Sequence, residues 1–246
     1  MISKTEAIVL KKYNYRETSL ICTFFSKEFG KITCLFKGIR KDHRKFASTL
    51  NLFSYNELIF YKARHSDLHL ASQCDLIRDF ADIRKDLKKT SLTSYVIELI
   101  DSIMPLEDKN KKVFDLLLNC LESVNAHTSD AEKIIHFFQI KLLILSGFKP
   151  HLDSCIACKK KIQEKASFSL RLGGLVCQKC LDRDRYSHDI LKGTIASILH
   201  VENSDWQKVL NLALSNRVKQ ELRNILFNFL SVHLDKPLKS YRFIHT

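Results

Sequence analysis

The chain has 246 residues, 45% of them hydrophobic, which is enough apolar material for two cores and excludes an intrinsically disordered chain. Forty Lys and Arg against 27 Asp and Glu leave a net charge of +13, so the simplest partner is a polyanion such as a nucleic acid. The richest apolar run, Ile134 to Phe148, is broken by His136, Gln139 and Lys141 and is too short to span a bilayer.

The first residues place Lys4 and Glu6 ahead of an apolar strand, without the h-region of a signal peptide, so a cytoplasmic protein is expected. Residues 5–77 read as five short strands: Ala7 to Leu10, Leu20 to Phe25, Ile32 to Phe36, Glu57 to Tyr61 and Leu68 to Ala71. Polar connections separate them, and no long helix intervenes. This predicts a small antiparallel barrel with an OB-fold as the leading candidate, although periodicity alone does not separate it from other small barrels. Phe24, Phe25, Phe36, Phe53, Phe60 and Tyr61 fall in this region. Most are expected in the core, with one or two facing a ligand. Cys22, Cys34, Cys74 and Cys120 stand singly among apolar neighbours and read as buried thiols of a reducing compartment.

Near Arg78 the period changes to that of helices. Apolar spacing predicts helices over 90–104, 113–124 and 134–145. Ser129 and Glu132 read as a capping box for the third, and Gly147 with Pro150 closes it. Further on, helices are expected over 190–200, after a Ser204–Gln207 cap, and over 218–234 before Pro237. The division is 1–79 for the barrel and 80–246 for a helical domain, with a cysteine module inserted at about 151–188. The fold class is α+β.

That module carries Cys155, Cys158, Cys177 and Cys180 in the spacing C-x2-C-x18-C-x2-C. Two tight turns aim two sulfurs each at one point, which is the pattern of a four-cysteine Zn²⁺ site. A strand from Ala166 to Leu172, a Gly173–Gly174 turn and a return through Leu175–Val176 make a hairpin between the pairs. Four thiolates fill the coordination sphere, so one structural zinc is expected, with no position for an activated water. His151 and His188 flank the module and are second-layer groups at best.

Charge is uneven. Residues 1–80 carry 14 basic and 8 acidic side chains, 81–150 carry 10 of each, 151–189 carry 8 and 5, and 190–246 carry 8 and 4. The densest cluster is Lys37, Arg40, Lys41, Arg44 and Lys45 around a lone Asp42, in the loop after the third strand and next to Phe46. Small barrels bind single strands with basic grooves and stacking aromatics, so this loop is the candidate DNA contact. Lys11, Lys12, Arg16 and Lys31 extend the surface. Enzyme motifs are missing: Gly30–Lys31 lacks the rest of a P-loop, and no H-E-x-x-H, G-x-S-x-G or dinucleotide fingerprint occurs. A protein without catalytic residues is expected. His136 reads as a paired core residue.

Several segments, in order, resemble the RecO family of bacterial recombination mediators. They are Glu6-Ala-Ile-Val-Leu through Tyr15-Arg-Glu-Thr, Phe29-Gly-Lys-Ile-Thr to Lys41, and Ser48-Thr-Leu-Asn-Leu-Phe53 with Asp67-Leu-His-Leu. Phe138-Gln-Ile-Lys-Leu-Leu with Gly147 and Pro150 leads into the cysteines, and His233 to Ser240 resembles the family's ending. Ile39 and Leu52 depart from the family, which usually has a small residue and a proline there. The resemblance implies an N-terminal OB-fold and a helical domain holding zinc through the four cysteines. It implies binding of single- and double-stranded DNA, annealing of complementary strands, cooperation with RecR and docking of the acidic tail of the single-strand-binding protein. It also implies help in loading RecA. A zinc-ribbon adaptor for RNA or protein, without annealing activity, is the alternative.

Overall fold

A computed structural model describes residues 2–39, 49–126, 130–162, 165–184, 186–234 and 237–240. The chain divides into two compact units, Met1–Ala131 with Leu238–Thr246, and Glu132–Pro237.

The first unit is built on a closed barrel of strand order β1-β2-β3-β5-β4. The strands are β1 (Ile2–Tyr15), β2 (Ser19–Ser26), β3 (Gly30–Phe36), β4 (Tyr55–Tyr61) and β5 (Leu68–Arg78). β1 is long enough to close the barrel by itself. Its first half pairs with β4 and the rest with β2, with an irregularity between Val9 and Lys11. A bulge of this kind bends the strand from one sheet face into the next. β3 and β5 run parallel from Thr33–Leu68 to Leu35–Leu70, while the other pairs are antiparallel. This is OB-like topology. Inward residues alternate along the strands, and Ala7, Val9, Cys22, Phe24, Ile32, Cys34, Leu58, Phe60 and Cys74 fill the core. Phe24, Phe25, Phe36, Phe53 and Phe60 are all buried, whereas Tyr61 is exposed.

Three helices belong to this unit: α1 (Ala81–Lys85), α2 (Leu87–Ile103) and α3 (Lys111–Ala126). Asp86 caps α2 by accepting from the Lys89 N–H at 3.0 Å, and Asn110 accepts from the Val113 N–H at 3.1 Å at the start of α3. α3 covers part of the barrel's outer surface, where Phe114 meets Phe25 and Tyr55 at ring separations of 6.2 Å each. The α2–α3 connection also closes on the barrel. The Glu107 N–H donates to the Lys31 carbonyl at 2.9 Å, and Gly30 turns with φ +66° directly beneath Asp108. Residues 238–240 return to α2, where the Lys239 and Ser240 N–H groups donate to the Glu98 carboxylate at 2.9 and 2.8 Å.

The second unit holds α4 (Ala131–Leu145), the cysteine module and α5 (Lys192–Asn203), α6 (Trp206–Leu210) and α7 (Asn216–His233). Gly147, at φ +83°, ends α4, with the Phe148 N–H donating to the Leu143 carbonyl at 2.8 Å. Ser215 caps α7, accepting from the Val218 N–H at 3.3 Å. Two local expectations are corrected. Ile190 ends a third module strand, β8 (His188–Ile190), instead of starting a helix, because β6 (Ala166–Ser169) offers it a free edge. The helix expected after Ser204 has Asp205 at its N-cap without a side-chain cap bond. Ser129 lies outside the described residues. Glu132, its expected capping partner, accepts from Arg223 Nε at 2.7 Å and lies 3.6 Å from His136 Nε2, so it ties α4 to α7. His136 is buried, and its Nδ1 meets Gln139 at 3.2 Å.

The neighbouring His136 lowers the Glu132 pKa, burial opposes this, and Arg223 lowers it further, to about 2 from an ordinary 4.5. A carboxyl held below its unfolded value stabilises the fold above pH 4.5, and that contribution is lost as pH falls toward 2. At about 1.4 kcal/mol per unit the link is worth on the order of 3 kcal/mol. Glu132→Gln is therefore expected to lower the stability of the second unit at pH 7 and flatten its pH dependence between about 4.5 and 2. Urea unfolding followed across that range checks this, and an unchanged acid limb would refute it.

Candidate nucleic-acid interface and metal centre

The cysteine module is a three-stranded sheet of order β7-β6-β8, with β7 at Gly174–Cys177. The hairpin turn needs both glycines for different reasons. Gly173 sits at φ +75°, and a Cβ on Gly174 would lie 2.6 Å from the His151 carbonyl oxygen. That close approach lets the Leu175 N–H donate to His151 at 2.9 Å and the Ile156 N–H to Leu175 at 2.8 Å. The first cysteine turn is thereby laid against β7. The second turn follows β7 as a 3-10 segment, Gln178–Arg183.

The result is a cluster of Cys155, Cys158, Cys177 and Cys180 with all four sulfurs within 4.8 Å of one another. All four thiols are free of disulfides. Tetrahedral thiolate coordination at about 2.3 Å requires sulfur–sulfur edges of about 3.8 Å. Cys158 and Cys177 Sγ stand 3.8 Å apart. Burial raises the Cys155 thiol, but N–H groups of Cys177, Cys158 and Ala157 aim at its sulfur and carry it down to about 6. Burial and the three neighbouring sulfurs push Cys180 up to about 12. One thiolate is welcome in the cluster and further negative charge is not, unless a cation compensates it. The cluster thus suits a metal ion. His151 and His188 are not among the grouped ligands; His151 Nε2 meets Ser154 Oγ at 2.8 Å.

The barrel offers a second kind of site. Residues paired across strands share a face. Tyr13 pairs with Ile21, Ile21 with Leu35, Leu35 with Leu70, Leu70 with Tyr61 and Tyr61 with Ile2. This row faces outward, with Tyr13, Tyr61 and Ile2 exposed by 50%, 45% and 59%. Beside Tyr13, two residues nearer the β1–β2 turn, Tyr15 pairs with Ser19 on the same face. The Arg16 guanidinium lies 5.3 Å from the centre of the Tyr15 ring, within cation–π reach. Lys37 is exposed and directly follows the Phe36–Leu20 pair, so it stands at the same end of the sheet.

The candidate basic residues therefore differ in their surroundings. Lys12, Arg16 and Lys37 are exposed at the end of β1–β2–β3. Lys11 and Lys31 both converge on Asp101 of α2; Lys31 Nζ donates to the Asp101 carbonyl at 2.5 Å and lies 3.7 Å from its carboxylate. Desolvation pulls the Lys11 pKa down, but Asp101 outweighs it and holds the ammonium charged. These two lysines fasten α2 to the barrel. Arg40, Lys41, Arg44 and Lys45 lie outside the described residues. Sequence reasoning passed over Tyr13, Tyr15, Ile21 and Leu35. The strict alternation of tyrosines after Lys11-Lys12 was the available signal, hidden because Lys11 to Tyr15 is too polar to score as a strand.

Among the described residues no helix is long and apolar enough to cross a membrane. Residues 1–80 match the family model described as Recombination protein O N terminal, and residues 84–242 match Recombination protein O C terminal. The DNA repair protein RecO of Syntrophus aciditrophicus is 32% identical over 97% of this chain and 93% of its own length. Those of Thermoanaerobacter sp. and Alkaliphilus metalliredigens are 31% and 30% identical, over 98% and 96% of this chain and 96% and 95% of theirs. With an OB-like barrel, a helical second part and a four-cysteine cluster in place, the chain belongs to the RecO family of DNA repair and recombination proteins.

Proposed function

We propose that this protein is a non-enzymatic recombination mediator that binds single- and double-stranded DNA and anneals complementary strands. One observation carries the reading most. The outer β1–β2–β3 face carries exposed Tyr13 and half-buried Tyr15, and exposed Lys12, Arg16 and Lys37 stand at the same end of these strands, in a chain of net charge +13. Strands of this kind of barrel take single strands by stacking bases on aromatics and displacing phosphate counterions. Lys37, Arg40, Lys41, Arg44 and Lys45 are the proposed principal contacts, with Lys12 and Arg16 beside them. Lys11 and Lys31 act at the edge of the same surface while fastened to Asp101. Neutralising phosphates on two strands lowers their repulsion and holds them until bases pair, with no nucleotide hydrolysis.

Membership of the family supports the remaining roles as proposals. These are cooperation with RecR, docking of the tail of the single-strand-binding protein and assistance to RecA on coated DNA. We assign the first 79 residues to DNA binding and residues 80–246 to support and partner docking. The metal is proposed to be one Zn²⁺ held by Cys155, Cys158, Cys177 and Cys180. It supplies a four-way crosslink between the two cysteine turns. The chain's own part is to aim N–H groups at Cys155 and to hold the turns against β7.

Annealing of complementary strands coated with the cognate single-strand-binding protein, without nucleotide, tests the reading. Fast annealing that fades with salt is expected, and contact with about six phosphates gives a single-strand salt slope near −4. Replacing Lys37, Arg40, Lys41, Arg44 and Lys45 together by Ala should flatten that slope by about 3. An unchanged slope would remove the cluster from the site. Binding to bare RNA with no annealing would favour an adaptor.

A further inference from the structure

The metal module carries a concentration of positive charge that the barrel reading leaves unused. Lys159, Lys160 and Lys161 follow the first cysteine turn directly, Lys179 sits inside the second, and Lys165 precedes β6. All five are exposed. Among the described residues none of their ammonium groups meets a carboxylate. Two of the module's acids are engaged elsewhere: Asp184 accepts from Ser169 Oγ and from the Tyr186 N–H, and Asp189 accepts from Ser167 Oγ at 2.9 Å. The four sulfurs lie within 4.8 Å of one another, so a metal bound there would tie the two lysine-bearing turns together.

The backbone adds an independent observation. Lys159 has φ +61°, in the left-handed region, where its N–H donates to the Cys155 carbonyl at 2.8 Å. Glycine or asparagine would occupy that turn at less conformational cost, by about 1 kcal/mol. A strained residue at a site is grounds for asking what its side chain does. Here the side chain extends a run of three lysines at the mouth of the first turn.

We propose that Lys159, Lys160, Lys161, Lys165 and Lys179 form a second nucleic-acid site, which grips the phosphate backbone of one strand while the barrel holds another. The inference rests on the mediator reading above and deepens it. Five exposed ammonium groups, four of them on or beside the two cysteine turns and Lys165 just before β6, complement a continuous row of phosphates. Ammonium groups meet phosphate oxygens and not base edges, so this site recognises backbone charge and not sequence. Two sites on one chain give annealing a simple basis, because a second strand captured by a tethered site meets the first at high effective concentration.

The test uses the full-length, metal-loaded protein and a variant with Lys159→Asn, Lys160→Ala, Lys161→Ala, Lys165→Ala and Lys179→Ala. Asparagine tolerates the left-handed turn, and metal content with far-UV circular dichroism verifies folding. The probe is a short labelled oligothymidylate, titrated to saturation, followed by annealing of two complementary strands. The wild type should take up two strands per chain and the variant one, with annealing slowed about tenfold or more. A wild type that binds one strand only, or a variant that keeps two strands and full annealing speed, would overturn the proposal and leave the mediator reading intact. A variant with weakened metal retention but unchanged DNA uptake would show that the lysines only balance the charge of the thiolate centre. Polyglutamate that occupies this surface and resists displacement by DNA would mean an acidic protein partner and would also overturn it. No strand bound by the wild type would remove the mediator reading itself.

Discussion

Withdrawing the proposed metal from the four-cysteine cluster should unfold the module at about 151–188 and leave the barrel standing. The hairpin has little core of its own: Cys155, Val176 and Cys180 are its buried centre, backed by half-buried Ile156, Ile162 and Leu172. Without a cation, four sulfurs within 4.8 Å repel one another as they ionise. A structural Zn²⁺ in such a module contributes on the order of 10 kcal/mol or more to folding. The barrel has no such dependence, because Cys22, Cys34 and Cys74 are no more than 2% exposed and sit in an apolar core. A chelator together with a thiol reagent should therefore label four of the eight cysteines quickly and the other four only on global unfolding. Cys180→Ser should behave as the chelated protein does. Slow, uniform labelling of all eight would mean that the module folds without metal.

Gly30→Ala should destabilise the first unit by more than about 3 kcal/mol, whereas Gly38→Ala should cost about 1 kcal/mol. Both glycines are left-handed, at φ +66° and +70°, so both substitutions carry the same backbone strain. Their surroundings differ. A Cβ on Gly30 would lie 2.1 Å from the Asp108 carbonyl oxygen and 2.4 Å from its carbon, while among the described residues nothing approaches Gly38 within 4 Å. The obstacle at Gly30 is backbone, which cannot rotate away. It belongs to the connection that places Glu107 on the Lys31 carbonyl and beside Lys62, at 2.5 Å, and His69, at 3.3 Å. Relieving the clash would lift that connection and loosen α2 and α3 from the barrel. Paired urea denaturation of the two variants decides the matter; equal losses would show that the close approach is not maintained in solution.

The barrel was legible because short apolar runs, such as Ala7 to Leu10 and Leu20 to Phe25, are separated by polar connections with no long helix between them. Cys22, Phe24, Ile32, Cys34, Leu58 and Phe60 follow a period of two, which no helix could bury. Where pattern and burial diverged, the reading fell short. β1 runs on through Lys11, Lys12, Tyr13, Asn14 and Tyr15, a polar stretch that pairs with β2 beyond the core. Its strand character comes from hydrogen bonds to a neighbour and not from burial. Short β8 was hidden for the same reason, since its three residues become a strand only on meeting β6.

Readable from the chain alone were the four cysteines that come together, the strand count of the barrel, the excess of positive charge and the kinship with RecO proteins. Each of these is local in the chain or summed over it, so spacing, periodicity and composition suffice to read it. Tertiary structure alone decided which lysines are committed to carboxylates. Lys11 and Lys31 resemble Lys12 and Lys37 in sequence, but α2 brings Asp101, from 70 to 90 residues away, onto the first pair and not the second. It also decided that Tyr13 and Tyr61, far apart in the chain, share one outward row around the barrel. Register and helix docking are long-range choices, settled by which groups can be buried together and which must keep their charge in water.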